Sequence, residues 1–340
     1  MRSFKKLSCF ALTAVISVTL LAGCGGDENE SKQIIRIGHN QSSEHPTHIA
    51  LTAFEEYIEE KLGDKYSVEV YPSELLGSQT DMVQLTQTGA INFCVASNAI
   101  LETFSKNYEI FNLPYLFVNP EAYHAVMDDT GITDKLFKST AKAGFEAVTW
   151  IDAGTRNFYT VKKPIERPAD LSGMKIRVQQ SPTNVEMMRL LGGSATPMGF
   201  GDVYTALQSN IIDGAENNEL ALTNNGHGDV CKYYSYDMHQ MVPDILIGNY
   251  SFLEKLPQEE RDVFEEGFKL VNKVEREEWT KAVDEAKERA EKEQGVQFYY
   301  PDVQPFMDAC KPLHETVLSK NPDIKPIYDA IQEYNDRFAE

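Results

Sequence analysis

The stretch IIRIGHNQSSEHPTHIALTAFEEYIEEKLGDKYSVEVYP, residues 34–72, changes its hydrophobic period twice. Residues 34–40 read as a short strand, 48–63 as an amphipathic helix stopped by Gly63, and 66–72 as an alternating strand closed by Pro72. A β-α-β opening favours a mixed or parallel sheet flanked by helices.

The chain downstream keeps alternating. TDMVQLTQTGAINFCVAS (80–97) gives a helix, a stop at Gly89 and a buried strand, and AVTWIDAGTRNFYTVKKPI (147–165) gives two strands joined through Ala153 and Gly154. In DLSGMKIRVQQSP (170–182), Met174, Ile176 and Val178 occupy one face of a strand and Lys175, Arg177 and Gln179 the other, nominally wet, face. PTNVEMMRLLGG (182–193) is a helix with a glycine stop, and FGDVYTALQSNIIDGAENN (200–218) repeats the helix-to-strand step. From Pro257 to about Gln294 the chain is polar and helical, with Val263, Phe264, Phe268, Val271, Val274 and Trp279 near helical spacing. A helix of that length predicts an element lying across more than one domain.

The 340 residues, 42% hydrophobic and 25% charged, are those of a globular protein, and the length favours two domains. A formal charge of −20 excludes nucleic acid as an electrostatic partner, because a duplex-binding surface needs a basic field. A small anion can still bind where cations are local.

Arg2, Lys5 and Lys6 precede the apolar run CFALTAVISVTLLAGC (9–24), which reads as an export signal too short for a membrane span. Its end, Leu21-Ala22-Gly23-Cys24, resembles the lipobox of bacterial lipoproteins, where the thiol accepts a diacylglycerol. The expectation is a signal peptide over 1–23, a lipid on Cys24 and a polar tether over 24–33, which places the protein outside the cytoplasm on a membrane. Removing residues 1–23 takes away three positive charges and no negative ones, moving the charge from −20 to near −23. Cys94, Cys231 and Cys310 are widely spaced, which favours isolated buried thiols over a disulfide scaffold or a zinc site.

His39, His45 and His48 fall in GHNQSSEHPTH (38–48) at a spacing that fits no common metal site, and His45 suits a ligand-facing loop after a strand instead. There is no nucleophile elbow, no glycine-rich phosphate loop and no H-E-x-x-H. Asp213 and Glu216 form a conceivable glycosidase pair, although neighbours in such a segment are more often caps and turns.

Five segments together carry a family resemblance: YPSELLGSQTDMVQLTQTGAINF (71–93), FNLPYLF (111–117), DAGTRNFYTVKKPI (152–165), GMKIRVQQSPTNVEMMRLLGGSA (173–195) and TPMGFGDVYTALQSNIIDGAENN (196–218). In this order, from roughly Ile34 to the C-terminus, the chain resembles the solute-binding proteins of TRAP transporters, the DctP family. The resemblance implies an α/β, two-lobed periplasmic-binding-protein-like fold, with mixed sheets flanked by helices and a long helix crossing both lobes. Lobe I would comprise 34–154 with 243–282, and lobe II 155–242 with 283–340. It implies that Arg177 binds a ligand carboxylate, as a guanidinium does with two parallel hydrogen bonds. Asn217 would brace the same carboxylate, Arg156 would be a second nearby cation, and Phe200 would stack on the carbon skeleton. Asn40, His45, Gln79 and Ser97 stand where the family places hydroxyl-binding groups. The implied ligand is a small organic acid, with a hexuronate or related sugar acid favoured and a C4-dicarboxylate as the alternative. The implied partners are the small and large integral membrane components of the transporter, with the bilayer reached through Cys24 and with no cofactor. Two competing readings remain: an exported sugar-acid enzyme using Asp213, Glu216 or Glu219, and a subunit presenting its ligand to a membrane sensor kinase.

Overall fold

The computed structural model describes residues 32–339, so the expected signal peptide, Cys24 and nearly all of the tether lie outside the described residues. The strands are β1 (Gln33–Gly38), β2 (Tyr66–Tyr71), β3 (Phe93–Ser97), β4 (Phe145–Ile151), β5 (Arg156–Thr160), β6 (Lys175–Val178), β7 (Ser194–Pro197), β8 (Gly214–Asn217), β9 (Tyr233–Gln240), β10 (Asp244–Asn249) and β11 (Gln297–Tyr299). They form two sheets, ordered β2-β1-β3-β10-β4 and β11-β9-β5-β8-β6-β7. Both are mixed: β1 runs parallel to β2 and β3, while β10 inserts antiparallel between β3 and β4. In the second sheet β5 is antiparallel to both β8 and β9, whereas β6 is parallel to β7 and β8.

The chain passes between sheets twice near the site, from β4 to β5 through residues 152–155 and from β9 to β10 through 241–243. Gly154 turns the first passage at φ +61, and a Cβ there would stand 2.8 Å from the Trp279 ring, so both the conformation and the space call for glycine.

The opening β-α-β unit forms as its periodicity predicts, except that the helix runs Pro46–Leu62, two residues earlier than the apolar pattern suggests. The His45 ring accepts the Thr47 N–H at 3.2 Å, and Pro46, which has no N–H to leave unpaired, takes the first turn. This helix packs Ala50, Leu51, Phe54 and Ile58 against Phe264, Phe268 and Val271 of the helix Gln258–Lys292. The same 35-residue helix then places Trp279 and Ala286 on Leu220, and Ala290 against Tyr234 and Ala215 of the second sheet. One helix therefore crosses both lobes. Cys94, Cys231 and Cys310 are free and buried. Among the described residues no helix is long and apolar enough to cross a membrane, and no three metal-ligating side chains converge.

Candidate functional site

Strand β6 buries Ile176, Arg177 and Val178 and exposes only Lys175. The face that simple alternation assigns to solvent is instead the wall of a cavity between the sheets, and Arg177 is 3% exposed on it. Its Nε and Nη2 donate to the Met198 carbonyl at 3.2 and 3.0 Å, which anchors one edge of the guanidinium. Its Nη1 makes no hydrogen bond among the described residues, and no carboxylate there forms an ion pair with it. Burial lowers its pKa against the pull of Glu216, so a cation is held in the cavity wall at a cost. The Phe200 ring lies 5.7 Å from its guanidinium carbon.

Arg156, at the start of β5, stands in the same cavity but is already neutralised. Its Nε donates to a Glu216 carboxylate oxygen, Nη2 to the Glu216 carbonyl at 2.8 Å, and Nη1 to Asn217 Oδ1 at 3.0 Å. Burial would raise the Glu216 carboxyl, but Arg156 and His239 hold it down at about 2. His239 lies 3.6 Å from Glu216 and 2.8 Å from Asp237. Burial opposes its charge, yet these two carboxylates push its pKa up to about 9.

These shifts predict a measurable pattern of histidine charge. His239 stays protonated at neutral pH, while burial holds His45 and His227 down at about 3 and keeps them neutral. Because the folded His239 value exceeds the ordinary 6.5, its contribution to stability is full below that pH and is lost as pH rises through about 9. A ring-proton NMR titration checks this, and a His239 signal already neutral at pH 7 would contradict it.

Asn217 accepts from Arg156 and from the Asn218 N–H at 2.9 Å, leaving its Nδ2 hydrogens without a protein partner among the described residues. Asn40, Gln79 and Phe200 also line the cavity. The Asn40 side-chain oxygen is buried and unpartnered. Gln79 accepts the Ser97 N–H at 2.8 Å.

Two of the expected contacts sit elsewhere. His45 caps its helix with its ring 5.8 Å from that of Trp279, and does not line the cavity. Ser97 is one layer back, where its hydroxyl caps a short helix and accepts from Gln179 at 2.8 Å. Neither acid of the conceivable glycosidase pair reaches the cavity. Glu216 is fully buried on Arg156, and Asp213 accepts the Lys175 N–H at 2.9 Å near the surface.

Gln41, Gln179, Asn218 and Asp244 line the cavity without having been singled out in the sequence. Gln179 was within reach, because it follows Arg177 by two residues on one strand face. Asp244 opens β10, which the fold threads between β3 and β4, and no local pattern reveals that. Burial raises its carboxyl to about 6, against the opposing pull of Arg156.

The loop after β2 meets the turn that begins at Phe200. Ser73 and Glu74 adopt φ of 54 and 58, unusual for residues with side chains, and the Glu74 carboxylate sits against the Gly201 N–H. A Cβ on Gly201 would come within 2.3 Å of that carboxylate. Gly201→Val therefore breaks this latch and weakens ligand binding about tenfold, the order of one hydrogen bond to a charged group. Calorimetric titration reads the effect, and unchanged affinity would show that the latch carries no closing energy.

The family model for bacterial extracellular solute-binding protein, family 7, matches residues 37–321. A TRAP periplasmic solute-binding protein of Anaerococcus prevotii, solved with bound alpha/beta D-glucuronate, is 69% identical, with a TM-score of 0.89 over 90% of this chain and 99% of its own. A second, from Xanthobacter autotrophicus with bound beta-D-galacturonate, is 32% identical, with a TM-score of 0.84 over 88% of this chain and 99% of its own. The YiiZ protein of Salmonella typhimurium is 40% identical over 304 residues, 89% of this chain and 92% of its own.

Proposed function

The chain belongs to the bacterial extracellular solute-binding protein family 7, the DctP family, and on that premise we propose that it holds one hexuronate between its lobes by a single carboxylate-arginine pair. The observation that carries this reading is Arg177, a buried guanidinium with a free edge facing the cavity and no carboxylate paired with it among the described residues. A ligand carboxylate supplies the missing charge through hydrogen bonds to that edge, braced by the free Asn217 amide. The sugar ring lies on Phe200, and its hydroxyls meet Asn40, Gln79 and Asp244.

The count of available cations favours a uronate over a C4-dicarboxylate. Arg156 is committed to Glu216, which leaves Arg177 alone to receive a carboxylate. A second ligand carboxylate would meet Asp244, which repels anions when ionised and suits hydroxyl donors. Binding of D-glucuronate and D-galacturonate by the two solved relatives supports the same class.

Solute-binding proteins of TRAP transporters work with membrane components. Here the reading is delivery of the acid to a small and a large integral membrane subunit for uptake driven by an ion gradient, from a lipid anchor on Cys24. The lobes divide at 154/155 and 242/243, with 283–340 returning to the second.

Calorimetric titration with D-glucuronate, D-galacturonate, succinate and malate tests the ligand class, since a site built this way binds a uronate and ignores the dicarboxylates. Succinate or malate binding more tightly than either uronate would overturn it. Recovery of the bound uronate unchanged separates a binder from a sugar-acid enzyme.

A further inference from the structure

Among the described residues, the charged side chains on the wall of the ligand cavity are Arg156, Arg177 and Asp244. Arg156 is neutralised by Glu216, which leaves one cation and one anion for a ligand to meet. A uronate answers the cation only.

Asp244 is 7% exposed, and no lysine, arginine or histidine among the described residues forms an ion pair with it. Arg156 pulls on it from beyond ion-pair distance, and burial outweighs that pull, yet its pKa rises only to about 6 and the group is mainly an anion at neutral pH. Its side-chain hydrogen bond is to Ser97. Gln179 donates to the Ser97 hydroxyl oxygen at 2.8 Å, so the Ser97 proton is left to turn toward Asp244. A carboxylate only accepts, at about four positions, so most of the capacity of this one is unused. Buried charges are ordinarily paired, and an unpaired one is held at a cost.

The two unpaired charges stand on different sheets, Arg177 on β6 and Asp244 at the start of β10. Gln179 follows Arg177 by two residues, about 7 Å along an extended chain, and reaches Ser97, which is the register partner of Asp244 between β3 and β10. The anion therefore lies across the cavity and about one strand repeat beyond the guanidinium, a separation on the scale of a pyranose ring. In a hexuronate the carboxylate is borne by C5, and C2 is the ring carbon opposite.

We propose that the cavity is matched to a zwitterion and that its preferred ligands are uronates with a free amine opposite the carboxylate, the 2-amino-2-deoxyhexuronates. The proposal rests on the uronate reading above and narrows its class. The ligand carboxylate takes Arg177 and the ammonium takes Asp244, so neither enclosed charge is left over. The C2 hydroxyl of glucuronate offers one neutral donor at the same place, whereas an ammonium brings three donors and a full charge.

Calorimetric titrations of the unaltered protein at pH 7 with D-glucuronate, 2-amino-2-deoxy-D-glucuronate and the N-acetyl derivative of that amine test this. The amine is expected to bind about tenfold more tightly than glucuronate, the order by which a charged hydrogen bond exceeds a neutral one, and the uncharged N-acetyl derivative more weakly than the amine. Asp244→Asn, which keeps the shape and drops the charge, is expected to cancel the preference by costing the amine at least tenfold more than it costs glucuronate. Glucuronate binding as tightly as the amine would overturn the proposal, as would an amine bound no better than its N-acetyl derivative, a comparison that needs no variant. A preference for the amine that survives in Asp244→Asn would overturn it as well. If glucuronate binds and the amine does not, the zwitterion proposal alone falls; if neither binds, the uronate reading has failed with it.

Discussion

Arg177→Ala is expected to lower the affinity for D-glucuronate by about 2–5 kcal/mol, roughly thirtyfold to several thousandfold, because truncation leaves a ligand carboxylate buried without its partner. The same substitution should not destabilise the unliganded protein. Arg177 is buried, no carboxylate among the described residues forms an ion pair with it, and the pull of Glu216 does not offset the cost of burial. Removing it relieves a desolvation penalty, so the unliganded Tm stays level or rises while binding disappears. Arg177→Lys keeps a charge but loses the planar fork held by the Met198 carbonyl, and falls between the two. Calorimetric titration paired with thermal melts reads both halves. Affinity within threefold of the unaltered protein in Arg177→Ala would remove this residue from the site.

Glu216→Ala should act on the fold with comparable force. It strips the counter-charge from Arg156 and from His239, both enclosed, and breaking a buried pair in this way costs about 3–5 kcal/mol. The Tm should fall by on the order of 10 °C. Glu216→Gln, which keeps the shape and drops the charge, costs less and carries a further consequence. With its partner neutral, Arg156 becomes a second available cation in the cavity, and binding of succinate or malate should appear where the unaltered protein shows none. A Tm unchanged in Glu216→Ala would mean that Arg156 finds another partner.

Much of this arrangement was legible in residues 34–72 and in the alternation that follows, because periods of 2 and 3.6 are imposed by the backbone itself. The length and the apolar spacing of residues 257–294 likewise foretold a helix shared by two bodies, and Gln258–Lys292 is that helix. What the sequence concealed follows from distance along the chain. Arg177 lies on the nominally wet face of its strand, and only the approach of the other sheet turns that face into a cavity wall. Arg156 and Glu216 are 60 residues apart, and their pairing depends on the antiparallel register of β5 and β8. Asp244 enters the cavity because β10 returns to the first sheet after five strands of the second, β5 to β9, have been laid down. His45 misled because a histidine in a loop and a histidine capping a helix look alike until the first turn is seen.

Trp279 joins three separate parts of the molecule around the site. Its ring stands against Gly154 in the passage between sheets, against His45 of the first lobe and against Leu220 of the second. The chain has two tryptophans, and the other, Trp150, sits near the end of β4 just before that passage, with Arg276 of the long helix 5.2 Å over its ring. Both indoles lie beside the β4-to-β5 passage, and neither lines the ligand cavity. A change in their emission on adding a uronate should therefore report rearrangement of that passage rather than contact with the sugar, and stopped-flow fluorescence of the unlabelled protein can time it.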